Sequence, residues 1–123
     1  MSYVELHSHS AYSFLDGASL PEELAARAVE LGYDALALTD HDGVYGSLEF
    51  AHAAKSFGLR PITGAEVTLA DGSHVTLLVE SPSGYANLCR LLTQAHAHER
   101  LNPRLDLTAL EEQNEGLVCL SGC

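Results

Sequence analysis

The chain has 123 residues, about the length of one domain, and 46% of them are hydrophobic, which is enough to form a core. Its 17 acidic residues outnumber 6 basic ones, and this net charge of −11 argues against a basic groove for a nucleic-acid backbone. No apolar run reaches the roughly 20 residues of a membrane span, and no signal peptide is recognisable at the N-terminus, so we expect a cytoplasmic protein.

Predicted strands alternate with predicted helices in chain order. The expected strands cover 4–9, 35–40, 61–70, 74–80 and 116–123, and the Asp71-Gly72 turn joins the third and fourth as a hairpin. The expected helices are capped near Ser19, Ser47, Ser83 and Thr108, with the first two ending at Gly32 and Gly58 and the third ending before 102–104. This order predicts an α/β fold with mainly parallel strands. Because the chain stops on a strand with no helix to cover it, we expect a piece of a longer polypeptide.

Polar side chains fall at the carboxyl ends of the predicted strands, where α/β folds bind their ligands. These residues are His7, His9, Asp40, His41, Glu66 and Cys123. Two residues apart on a strand, His7 and His9 point to the same face with α-carbons about 6.6 Å apart, so both rings can reach one metal. The same spacing in His96 and His98 falls on a helix, where it predicts different faces and a surface position.

Histidines, carboxylates and one thiolate at the ends of several strands are typical of a cluster of two or three Zn²⁺, Mn²⁺ or Fe ions. Such clusters bind phosphate and activate water. The ions would also supply the positive charge that this acidic chain lacks. A set of structural histidines with satisfied hydrogen bonds is the alternative for His7 and His9 taken alone.

Four segments together resemble the polymerase and histidinol phosphatase (PHP) domain. They are LHSHS (6–10), YSFLDG (12–17), ALTDHD (37–42) and GAE (64–66). The YSFLDG segment looks like the version at the N-terminus of bacterial C-family DNA polymerases, the polymerase III alpha subunits. The combination with ALALTDHDGVYG is most similar to the error-prone branch of that family. The resemblance runs over nearly the whole chain.

The resemblance implies a seven-stranded, irregular, TIM-like (β/α) barrel with its metal cluster at the carboxyl mouth of the strands. Residues 1–123 would be a single PHP domain, incomplete at its C-terminal end. The parent would be a DNA-directed DNA polymerase of replication and translesion repair synthesis, and the domain a metal-dependent 3′–5′ exonuclease. A stand-alone, histidinol-phosphatase-like phosphoesterase and a catalytically decayed scaffold are the alternatives.

The resemblance also implies roles for particular residues. His7, His9, Asp16, His41, Glu66 and Cys123 match positions of metal ligands, and Asp40 would act in catalysis by orienting His41 or a neighbour. A turn residue is the alternative for Asp16, and a helix cap for Asp40. His74 begins a strand and is expected at the wrong end for the cluster. The sequence departs from the family pattern at two points: Glu80 and Ser81 stand where the family carries a further histidine, and no Asp-x-His follows position 43.

The expected partners follow from the same resemblance. DNA would be bound through the full-length polymerase, together with other replication or repair proteins, and no membrane is involved. The open edge of an incomplete sheet also predicts self-association.

Overall fold

The computed structural model describes residues 3–97, 99 and 101–121. The chain divides into two units, which we call unit 1 (Met1–Asp40 with Val44–Gly64) and unit 2 (His41–Gly43 with Ala65–Cys123). In the described part of the chain, no helix has the length and apolar character needed to cross a membrane.

Unit 1 contains α1 (Pro21–Glu30), β1 (Ala35–Leu38), α2 (Ser47–Ser56) and the first half of β2 (Arg60–Thr68). β1 is buried along its whole length and runs parallel to β2, as its continuous apolar sequence predicts. The two helices pack on β1 with small and apolar side chains. The core they form comprises Ala25, Ala28, Leu36, Leu38, Phe50, Ala54 and Leu59.

The predicted first strand, 4–9, is reduced to one isolated parallel bridge with β1, so this prediction is wrong in its extent. The N–H of Ala37 donates to the carbonyl of Glu5 (3.0 Å), as in a regular ladder. Beyond this point one main-chain bond persists, from the N–H of Thr39 to the carbonyl of Ser8 (2.8 Å). Side chains also bind the backbone there, because the N–H of Ser8 donates to Oγ1 of Thr39 (3.1 Å) and Oγ of Ser8 donates to the Ala37 carbonyl. Hydroxyl groups that satisfy the backbone in this way compete with strand pairing.

Unit 2 contains the second half of β2, then β3 (His74–Val79), α3 (Pro82–Ala95), α4 (Leu107–Glu112) and β4 (Leu117–Ser121). The strand order is β1-β2-β3-β4, and β4 runs antiparallel to β3. The sheet is therefore mixed, and the expectation of mainly parallel strands is wrong for β3 and β4. The tight turn at 71–72 reverses the chain and so prevents a parallel crossover. The structure describes four strands, and the seven-stranded barrel stays a prediction.

All four helices begin one or two residues away from their predicted starts. The observed N-caps of α1 to α4 are Leu20, Gly46, Ser81 and Asp106. In α3, Oγ of Ser81 accepts a hydrogen bond from the N–H of Gly84 (3.1 Å), and Pro82 occupies the first helical position, where its missing N–H costs nothing.

Candidate metal centre

The two histidines of the first segment lie together in unit 1. The ring centroids of His7 and His9 are 4.9 Å apart with perpendicular ring planes. The two rings therefore lie on the same side of the segment although it is not a regular strand. Both imidazoles are half-buried.

The loop that follows brings a carboxylate to His9. Nδ1 of His9 lies 2.8 Å from Oδ2 of Asp16. Leu15 adopts a left-handed backbone (φ 69°), and the N–H of Gly17 donates to the carbonyl of Ser13 (2.9 Å). A Cβ at residue 17 would stand 2.0 Å from the carbonyl oxygen of Ser10, so only glycine fits there. Asp16 thus lies in a turn and contacts His9, and its role as a metal ligand stays a prediction.

Asp40 anchors this loop from the end of β1. Its carboxylate is 1% exposed and accepts hydrogen bonds from the N–H of Ser10 (2.6 Å), Oγ of Ser10 (2.7 Å) and Oγ of Ser13 (2.8 Å). It is not a helix cap, because α2 begins only at Ser47. The geometry is that of a buried carboxylate that positions the segment between His9 and Asp16.

A second group of candidate ligands lies in unit 2. Nδ1 of His41 is 2.9 Å from Oε2 of Glu66, and the two residues form an isolated parallel bridge. Glu66 is 3% exposed, whereas His41 is half-buried. A buried carboxylate against an imidazole fixes the orientation of the ring, as the partners of metal-binding histidines do.

His74 joins this second group, contrary to the sequence analysis. Its ring centroid is 5.8 Å from that of His41, and His41, Glu66 and His74 each offer a ligand atom within 4.8 Å of the others. The hairpin explains the error, because the first residue of β3 returns beside the carboxyl end of β2. Glu80 and Ser81 lie past the opposite end of β3. Two imidazoles and a carboxylate are a donor set that suits Zn²⁺, Mn²⁺ or Fe²⁺.

Asp42 is a further buried carboxylate that the sequence analysis missed. It is 8% exposed, and its two oxygens accept hydrogen bonds from the N–H (2.7 Å) and Oγ1 (2.8 Å) of Thr68. Its carbonyl oxygen lies 2.7 Å from Nε2 of His96. His96 is exposed, as its expected surface position requires, and its ring also forms this hydrogen bond. Cys123 and His98 lie outside the described residues.

Comparison with known proteins identifies the family of this chain. The PHP domain model matches residues 5–123, and the chain belongs to the PHP domain family. Curated relatives include the error-prone DNA polymerases of Symbiobacterium thermophilum and Mycobacterium tuberculosis, each 47% identical over the whole chain. DNA polymerase III subunit alpha of Chlamydia pneumoniae is 38% identical over the whole chain. The chain spans only 13%, 12% and 11% of the lengths of these three relatives.

Solved structures share the fold. An amidohydrolase from Chromobacterium violaceum, whose structure holds sulfate and no metal, superimposes with a TM-score of 0.64 at 35% identity. A protein assigned as a metal-dependent phosphoesterase in Bifidobacterium adolescentis gives a TM-score of 0.63 at 28% identity. Each match covers 76% of this chain and 33% of the other protein. The mixed α/β fold is therefore that of PHP-type phosphoesterases.

Proposed function

We propose that this chain is the PHP domain, or the first part of it, of an error-prone DNA polymerase, and that it hydrolyses phosphodiesters as a metal-dependent 3′–5′ exonuclease. The 47% identity to error-prone polymerases over the whole chain supports the parent activity. Addition of deoxynucleotides would be carried out elsewhere in that polymerase. DNA would be the partner of the full-length polymerase, together with other replication or repair proteins. The polymerase would act in the cytoplasm.

The convergence of His41, Glu66 and His74 in unit 2 carries the metal-dependent part of the proposal. The other proposed ligands are His7, His9, Asp16 and Cys123, and their union in one cluster of two or three ions stays a prediction. Ions of this kind, when bound, activate water and neutralise charge on a phosphate. They would also offset the net charge of −11 where a DNA end must approach.

The side chains of the protein have separate tasks in this proposal. Glu66 is buried, so it holds the His41 ring in one orientation and adds a negative charge that favours a cation. Asp40 acts on the other loop, where its hydrogen bonds to Ser10 and Ser13 fix the path of the backbone. We therefore assign Asp40 a positioning role in catalysis.

Two other functions remain as alternatives. The likeness to the phosphoesterase of B. adolescentis favours a stand-alone phosphoesterase of the histidinol-phosphatase type as the second candidate. A decayed scaffold would have no need to keep three candidate ligand atoms within 4.8 Å, so His41, Glu66 and His74 argue against it.

Hydrolysis assays separate these functions. The purified chain is incubated with Mn²⁺ and single-stranded DNA labelled at its 5′ end, beside the His41→Ala variant and a matched control, His52→Ala, which removes an exposed histidine from α2. We expect shortening from the 3′ end by the wild type and by His52→Ala, and loss of shortening in His41→Ala. Hydrolysis of a phosphate monoester without DNA hydrolysis would favour the stand-alone phosphoesterase. Bound metal without either activity would favour the scaffold.

A further inference from the structure

We infer that Asp42 is a positioning residue that sets His41 against Glu66, with His96 supporting it from α3. The inference rests on the proposed function only in taking His41 and Glu66 as metal ligands. All of these residues belong to unit 2.

The first contact is a clamp between Asp42 and the end of β2. Both carboxylate oxygens of Asp42 are used, one by the N–H of Thr68 (2.7 Å) and one by its hydroxyl (2.8 Å). The N–H of Asp42 donates in the opposite direction, to the carbonyl of Glu66 (2.7 Å). Asp42 follows His41 directly in the chain, so these three bonds fix the main chain on one side of His41 to the strand that carries Glu66.

The second contact comes from the end of α3. Nε2 of His96 lies 2.7 Å from the carbonyl oxygen of Asp42. Because a carbonyl oxygen only accepts, Nε2 of His96 carries the proton. The backbone at Asp42 is left-handed (φ 50°), a conformation that aspartate tolerates better than most residues but that needs support from its surroundings. The clamp and His96 provide that support.

Position 42 requires a side chain that can form both hydrogen bonds to Thr68, and it does not require a negative charge. An asparagine can accept from the N–H of Thr68 and donate to its hydroxyl, so Asp42→Asn retains both contacts without the negative charge. Asp42→Ala loses both. Residues that orient a metal ligand in this way typically change metal affinity by about 10- to 100-fold when removed.

Cobalt binding tests the inference. Co²⁺ is titrated into the chain, and its visible absorption reports both the affinity and the coordination geometry. We expect Asp42→Ala to weaken binding by about 10- to 100-fold and to alter the spectrum. Asp42→Asn should remain near the wild type, and His96→Ala should show a smaller loss than Asp42→Ala, with His52→Ala as the control for removal of a helical histidine. Affinity and spectrum unchanged in Asp42→Ala, or equally weakened in Asp42→Asn, would overturn the inference.

Thr68→Val covers the case in which Asp42→Ala does not fold, since it removes one hydroxyl partner at nearly constant volume. It should weaken Co²⁺ binding less than the loss of the whole carboxylate, and an unchanged affinity would count against the clamp.

A metal-free measurement separates failure of this inference from failure of the proposed function. Long-range proton–nitrogen NMR of the His41 ring reports its Nδ1 contact with Glu66. If the wild type binds no Co²⁺, the metal-dependent function fails. The positioning role then stands if Asp42→Ala changes the His41 signals while Asp42→Asn preserves them. Unchanged His41 signals in Asp42→Ala would contradict it.

Discussion

Nδ1 of His41 and Oε2 of Glu66 lie 2.9 Å apart although the two residues are distant in sequence. Parallel pairing accounts for this, because His41, three residues beyond the end of β1, is bridged to Glu66 near the end of β2. Neighbouring parallel strands present their carboxyl ends at the same edge. The pair is thus a direct consequence of the alternation of strands and helices along the chain.

Removal of the Asp40 carboxylate should destabilise the protein strongly. Asp40→Ala leaves the N–H of Ser10 and two hydroxyls, on Ser10 and Ser13, without their buried acceptor. We expect the free energy of unfolding to fall by roughly 2–4 kcal/mol, measured by urea denaturation. Asp40→Asn, which can preserve most of the contacts, should lose less. An equal loss in both variants would show that charge, rather than hydrogen bonding, makes Asp40 important.

A methyl group at residue 17 should disrupt the loop that carries Asp16. In Gly17→Ala the new Cβ would meet the carbonyl oxygen of Ser10 at 2.0 Å, so the backbone must move. We expect a loss of about 1–3 kcal/mol in the free energy of unfolding, measured by urea denaturation.

Gly72→Ala is the matched control for this substitution. Gly72 has a positive φ of 90° but open space around it, so an added methyl group meets only backbone strain. A smaller loss in Gly17→Ala than in Gly72→Ala would contradict the close approach.

The turn of the hairpin that brings His74 back to Glu66 should give Asp71 a lowered pKa. The hydroxyl (2.6 Å) and N–H (2.9 Å) of Ser73 donate to the Asp71 carboxylate and lower its pKa below the ordinary value. A lowered folded-state pKa contributes stability that is present above the unfolded pKa and is lost as the pH falls through the folded pKa. Carboxyl carbon NMR titration should therefore show a low pKa for Asp71 that rises toward its ordinary value in Ser73→Ala. An identical pKa in the two proteins would contradict this turn geometry.

Self-association should depend on the outer edge of β4. The N–H of Glu80 donates to the carbonyl of Gly116 (2.8 Å), so along the antiparallel register the peptide groups of Val118 and Leu120 face β3. The peptide groups of Leu117 and Cys119 then face away. In the described part of the chain, β4 pairs only with β3.

Cys119→Pro removes one outward N–H without touching the pairing to β3. Sedimentation velocity in reducing buffer should show concentration-dependent association of the wild type and less association in this variant. Val118→Pro is the contrasting variant, because it removes an inward N–H and should destabilise the fold. A wild type that stays monomeric at all concentrations would refute the prediction.

The sequence predicted most of the elements because local signals determine them. Continuous apolar residues predicted β1, helical periodicity ending at Gly32 predicted α1, and a capping serine with a terminal Gly58 predicted α2. Residues 4–9 differed because the hydroxyls of Ser8 and Thr39 bind the backbone beside the single main-chain bond that joins these two residues. Such side-chain bonds between distant residues leave no periodic signal in a single sequence.

The candidate site was predicted only where residues fall at the ends of parallel strands. His41 and Glu66 follow that rule, whereas His74 was misplaced because strand direction, and not position alone, decides which edge a residue reaches. The hairpin signal at 71–72 contained that information. Asp42 could not be predicted, because its role depends on Thr68 and His96, which only the folded chain brings to it.

The metal content of the purified chain tests the central claim most directly. Elemental analysis is made on protein prepared without chelator or histidine tag, beside His41→Ala/His74→Ala, His7→Ala/His9→Ala and the His52→Ala control. We predict about one or more Zn, Mn or Fe ions per wild-type and control chain, and a loss in each double variant. A folded wild-type chain without metal, or with metal that both double variants retain, would contradict the assignment of these residues as a metal centre.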